Sequence, residues 1–148
     1  DIKFMSLFSE NLQELMSERN LTPTSLAEAM GTCSSKLSSY ITGNRAPNYD
    51  TLIQLVEFFH CSADFLLGIK EYPCEDIDYL PVPPFSQRLR TVLKEMNCTQ
   101  YSFIKQTKIS WGVFYNWLSG KSNPSVDNLV KIASFFDCSV DFVLGRVK

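Results

Sequence analysis

Few side chains in this sequence are equipped to make or break a covalent bond. His60 is the only histidine among 148 residues, it stands at a helix end, and no nucleophile–base pair accompanies it. The five cysteines, Cys33, Cys61, Cys74, Cys98 and Cys138, are odd in number and include no C-x-x-C pair. Neither a zinc site nor a disulfide framework follows from them, and a reducing cytoplasm suits them better than secretion. Cys61 and Cys138 each lie between two helical segments and read as small buried thiols. No catalytic residue, metal site, cofactor or small-molecule substrate is expected. The chemistry left to the chain is charge and hydrogen bonding.

The net charge of −2 conceals an uneven distribution. Ser9 to Lys70 sums to −3, the stretch Glu71 to Phe85 to −4, and Ser86 to Val147 to +4. A basic second half thus sits behind an acidic first half and connector, and basic faces suit polyanions. No apolar run approaches the ~20 residues that a membrane span needs. Asp1 to Glu10 carries no signal-peptide pattern, and an acidic first residue in place of Met fits a trimmed N-terminus.

The elements that must position these groups are clearest between Thr99 and Gly120. Thr99 is a hydroxyl N-cap, followed by a short helical pattern built on Phe103 and Ile104. Lys108 to Ser110 is a turn. A second amphipathic segment then places Val113, Phe114, Trp117 and Leu118 at helical spacing, and Gly120 can take the left-handed conformation that ends a helix. Two short helices joined by a tight turn make a helix-turn-helix pattern.

A shift of 77 positions lays the first half on the second without a gap. Leu12 meets Leu89, Thr22 meets Thr99, Gly43 meets Gly120 and Asp50 meets Asp127, while FFHCSADFLLG ending at Gly68 lies over FFDCSVDFVLG ending at Gly145. The chain is therefore expected to be all-α: a first domain at residues 1–70, an acidic Pro-rich linker at 71–84 and a second domain at 85–148. Such units are just large enough to fold alone. The first unit reads as five helices: Ile2 to Arg19, a helix started by Thr22-Pro23 and closed by Gly31, one beginning at Thr32, one from Asn48 to His60, and a short one capped by Ser62. The second repeats this plan, with Ser125 and Ser139 as later caps. Residues before Ser9 exceed their counterpart and are expected to act as a linker or a partner surface. Tyr40, Phe59, Trp117 and Phe136 belong to the core, and Tyr79 and Leu80 of the linker are candidates to dock on a domain.

Each unit resembles the DNA-binding domain of helix-turn-helix repressors of the phage repressor and Cro type, the XRE family. The resemblance rests on Thr99-Gln100, the NWLSGKSNPS run from Asn116 to Ser125, and the endings CSADFLLG and CSVDFVLG. It implies two tandem five-helix folds whose third helix meets base edges. In the second unit it assigns that role to Trp111, Gly112 and Asn116. An amide at Asn116 suits adenine, whereas an indole at Trp111 packs on a thymine methyl or a sugar instead of hydrogen bonding bidentately. Gln100 takes the place of a family glutamine that holds a phosphate at a helix N-terminus. Lys121 and Ser122 reach for backbone oxygens, and Lys105 and Lys108 add charge nearby. In the first unit the reading positions become Ser34, Ser35 and Ser39, which discriminate poorly or are simply a solvated face. Pro23 replaces the glutamine there, while Lys36, Asn44 and Arg45 remain usable.

The expected partner is a double-stranded DNA operator, bound by a cytoplasmic transcription regulator with repressor activity. Tandem units offer two half-sites from one chain, and the residues do not decide between this and a homodimer. The competing reading is a protein-interaction module in which one or both units have lost DNA affinity, a reading the acidic first unit keeps open.

Overall fold

The computed structural model describes the backbone of residues 2–148 and the side chains from residue 7 onward. The expected partner surface before Ser9 therefore lies largely outside the described side chains. Ten helices and no strand occur among the described residues. The chain divides into two compact units at Ile77/Asp78, within the acidic Pro-rich stretch.

Unit 1 contains α1 (Ile2–Glu18), α2 (Pro23–Met30), α3 (Ser34–Ile41), α4 (Tyr49–Phe59) and α5 (Ala63–Leu66). Thr22 caps α2 through its side chain, which accepts from the Ser25 amide, while the Ser25 side chain accepts from the Thr22 amide. This reciprocal pair satisfies two orphan donors of the first turn. Helix α3 begins at Ser34, two residues after the predicted start at Thr32, and its N-cap is Cys33, which makes no side-chain cap. Phe8, Leu12, Leu26, Leu37, Tyr40, Leu52, Leu55, Val56 and Phe59 are fully buried around the helix seams. Residues beyond α5 stay on this unit, since the Ser62 amide donates to Pro73 O at 2.7 Å and His60 Nε2 hydrogen-bonds Ile77 O at 2.8 Å.

Unit 2 contains α6 (Phe85–Glu95), α7 (Gln100–Thr107), α8 (Trp111–Leu118), α9 (Val126–Phe136) and α10 (Val140–Leu144). Phe103 anchors its core, stacking on Phe136 (centroids 5.8 Å apart, 18° between planes) and tilting against Phe114. Cys61 is buried as expected, but Cys138 and Phe136 are only partly covered. Arg146, one of the bases behind the +4 of the second half, is 1% exposed and donates to Asp141 Oδ1 at 2.7 Å. The Tyr79 ring lies over its guanidinium at 4.0 Å, and the Leu80 amide donates to Arg146 O. Asp78 to Pro84 is thus integral to this unit.

The duplication extends to side-chain contacts that the identities do not reveal. Asn11 Nδ2 donates to Phe65 O in unit 1, and Arg88 Nε and Nη2 donate to the equivalent Phe142 O in unit 2. Each joins the first helix of its unit to the last.

Candidate nucleic-acid interface

The chain between α7 and α8 turns sharply because Lys108 adopts the left-handed conformation (φ 61°) and Ile109 drops into the core. Sequence treated Lys108 to Ser110 as a plain turn; Ile109 is its hydrophobic anchor. Thr99 and Ser110 cap the two helices, accepting from the Ser102 and Val113 amides. Gln100, the first residue of α7, is exposed.

Helix α8 buries Phe114, Trp117 and Leu118 and leaves Trp111, Gly112, Val113, Tyr115 and Asn116 exposed. Val113, expected on the inner side, is 39% exposed. Its place lies off the stripe formed by residues 114, 117 and 118, which satisfies the core alone. The Asn116 carbonyl accepts from the amides of Lys121 (2.9 Å) and Ser122 (3.3 Å). This wrap, permitted by Gly120 at φ 80°, folds the loop back against the end of α8. Asn116, Lys121 and Ser122 are thereby brought together in the open, with all three side chains exposed. Lys105 and Lys108 are exposed as well, and the Lys105 ammonium lies 5.9 Å from the Tyr101 ring.

Charge sharpens this surface. Between Glu95 and Asp127 the chain carries Lys105, Lys108 and Lys121 and no carboxylate. Counting charge per domain missed this, because the acids of unit 2 lie outside the α7–α8 stretch. Unit 1 differs: Glu28 lies within α2, and of the bases between Glu18 and Asp50, Lys36 and Arg45 stand against it while Arg19 is held by the carbonyls of Phe58 and Phe59. Three other bases of unit 2 are committed internally: Arg146 and Arg88 as above, and Arg90, whose Nη1 donates to Leu118 O.

Unit 1 presents different chemistry. Ser34, Ser35 and Ser38 are exposed on α3, whereas Lys36 and Ser39 are half-buried. Two of the hydroxyls are already donating, Ser39 to Ser35 O at 3.1 Å and Ser35 to Cys33 Sγ at 3.5 Å. The Ser35 bond holds the exposed Cys33 thiol below its usual pKa, helped by the Lys36 backbone amide. Asn44 and Arg45 are exposed on the loop after Gly43. Sequence gave Cys33 no role; its place at the N-cap of α3 was the available signal.

A family model for Cro/C1-type HTH DNA-binding domains matches residues 88–147, and a helix-turn-helix model matches residues 12–66. The chain is 34% identical over 61 residues to the uncharacterized HTH-type transcriptional regulator YqaE of Bacillus subtilis (strain 168), covering 41% of this chain and 53% of that protein. It is 24% identical over 82 residues to the uncharacterized HTH-type transcriptional regulator YobD of the same strain, covering 55% of this chain and 73% of that protein. It therefore spans about half the length of the first of these relatives. No solved structure matches. With one match in each compact unit and helical architecture throughout, the chain belongs to the XRE-like proteins as a tandem pair of Cro/C1-type helix-turn-helix domains.

Proposed function

We propose that the protein is a sequence-specific DNA-binding transcription regulator, acting as a repressor, which lays α3 and α8 in the major groove of a double-stranded operator. The observation that carries this is the carboxylate-free run between Glu95 and Asp127, in which three exposed lysines flank α8 along the chain. Phosphates supply most of the affinity of such contacts, and amides supply discrimination. Gln100 at the N-terminus of α7, with Lys105, Lys108, Lys121 and Ser122, serves the backbone; Asn116 reads a base edge. Unit 2 supplies most of the phosphate affinity. Unit 1 adds Lys36, Asn44 and Arg45, with Ser34, Ser35 and Ser39 as weak readers. The names of the two Bacillus relatives, both HTH-type transcriptional regulators, support this reading.

Tandem linkage raises the effective concentration of the second contact, so one chain can occupy two half-sites without a new interface. The test is a titration of the full chain against duplex DNA selected from a random pool, repeated over a salt series. Log affinity falling linearly with log salt is expected, at roughly 0.9 per phosphate neutralised. A flat salt response, or no enrichment of any sequence, overturns the proposal.

A second reading applies to unit 1. Glu10, Glu14 and Glu18 recur every fourth residue on α1 and are all exposed, an acidic face that repels DNA and suits a protein partner better. Under that reading Lys36→Ala with Arg45→Ala leaves DNA affinity unchanged.

A further inference from the structure

The outer face of α8 carries apolar groups that the fold does not use. Trp111, Val113 and Tyr115 are exposed, and the Trp111 ring stacks along Tyr115 with centroids 5.4 Å apart and 28° between planes. The two rings stand one helical turn apart and restrict one another, so little further entropy is lost when something docks on them. Gly112 sits beside the stack. Its backbone is helical without a positive φ, and a Cβ there meets nothing within 4 Å. Neither dihedral angle nor packing calls for glycine at this position, although glycine is the poorest helix former after proline. Its effect is a patch of bare backbone beside two aromatic rings, open to close approach. Unit 1 has nothing comparable, since Ser34, Ser35 and Ser38 take the places of Trp111, Gly112 and Tyr115.

We propose that Trp111, Gly112 and Tyr115 form a notch that receives the 5-methyl group of a thymine, making the half-site of unit 2 methyl-dependent and unlike that of unit 1. This rests on the placement of α8 in the major groove proposed above. The occupant follows from the surroundings. Lys105, Lys108 and Lys121, with no carboxylate between Glu95 and Asp127, draw a polyanion to this face. Among the groups that a duplex displays in the major groove, the thymine methyl is the apolar one. Asn116, next along the helix, offers its amide to an adenine, so both elements favour A·T pairs. The two half-sites bound by one chain are accordingly unlike: one is read by methyl contact, the other by the hydroxyls of Ser34, Ser35 and Ser39.

The experiment uses the full chain and a duplex it selects from random DNA, resynthesised with each thymine in turn replaced by deoxyuridine. Only the methyl changes, and the protein is untouched. One or two replacements, confined to one half-site, are expected to weaken binding about fourfold each, the factor that burial of one apolar carbon group confers. Tyr115→Ala and Trp111→Ala should bind thymine and deoxyuridine duplexes equally, whereas Lys121→Ala should keep the difference. Equal binding of wild type to thymine and deoxyuridine at every position overturns the notch and leaves DNA reading by α8 standing. Equal sensitivity in both half-sites overturns its assignment to unit 2. Failure to select any sequence overturns the underlying reading of α8, and the notch with it.

Discussion

Arg90 Nη1 donates to the carbonyl of Leu118, the last residue of α8, at 3.0 Å. In unit 1 the equivalent Gln13 Nε2 donates to Ile41 O, the last carbonyl of α3, at 3.0 Å, and Ser9 Oγ donates to the same oxygen. The first helix of each unit therefore caps the C-terminus of the third. A guanidinium there also opposes the negative end of the helix dipole, which an amide does not. Arg90→Ala should cost about 1 kcal/mol, since the side chain is largely exposed and its net contribution is that of an ordinary hydrogen bond. Arg90→Gln, which copies unit 1, should recover most of it. Both tryptophans, Trp111 and Trp117, lie in unit 2, so tryptophan fluorescence during urea unfolding reports this unit alone. Equal stability of the alanine and glutamine variants would mean that the cap contributes nothing.

Gly112→Ala should move stability and binding in opposite directions. The new methyl meets nothing within 4 Å and replaces the weaker helix former, so unit 2 gains about 0.5–1 kcal/mol. The same methyl occupies the space an incoming base edge needs, and DNA affinity should drop several-fold. Urea unfolding and duplex titration of one preparation give both numbers, and a variant that binds DNA as well as wild type would count against close approach at this residue.

Lys121→Ala and Asn116→Ala should fail in different ways. Loss of the lysine weakens binding to all sequences alike and lowers the salt slope by roughly one. Loss of the amide relaxes preference at one base pair, worth roughly 1–3 kcal/mol. A uniform loss from both would contradict the roles assigned to them.

The Asp141–Arg146 pair is nearly sealed from water, with side chains 3% and 1% exposed. Removing one partner strands the other, so Asp141→Ala should destabilise unit 2 by about 3 kcal/mol or more. The cap formed by Tyr79 and the Leu80 amide predicts a companion result. A fragment beginning at Asp78 should melt above one beginning at Pro84, which lacks both contacts. Matching melting temperatures would mean that these contacts contribute nothing.

Thiol alkylation across a pH series should rank the cysteines. Cys33 is exposed and its pKa is lowered, chiefly by the Ser35 hydroxyl, so its thiolate persists to lower pH than in the unfolded chain. Cys98 is pushed the other way by burial, and Cys61 is covered. Cys33 should therefore label first near neutral pH, and Ser35→Ala should slow it. If Cys98 labels first, the hydrogen bond from Ser35 does not govern the thiol.

The helices and their order were legible because their signals are local. A hydroxyl N-cap such as Thr99, Ser125 or Ser139 acts within three residues, and a glycine such as Gly31 or Gly120 acts on its own dihedral angles. The spacing of Phe114, Trp117 and Leu118 likewise needs one helix and no neighbour. Repetition after 77 residues then divided the chain into two units without reference to contacts. Where each charge ends up is another matter. Arg146, Arg88 and Arg90 are as basic as Lys121 on paper, yet the first is buried with Asp141 and the others are held by backbone carbonyls of α10 and α8. Val113 lies outward, off the stripe of Phe114, Trp117 and Leu118, while Ile109 of the turn before α8 drops into the core. The sequence by itself determined which segments are helical and, to within about two residues, where they begin and stop, since these depend on residues a few positions apart; the 77-residue repeat showed that the plan occurs twice. Only the tertiary structure decided which cations and which rings remain free for a partner, because that depends on groups brought together from distant parts of the chain.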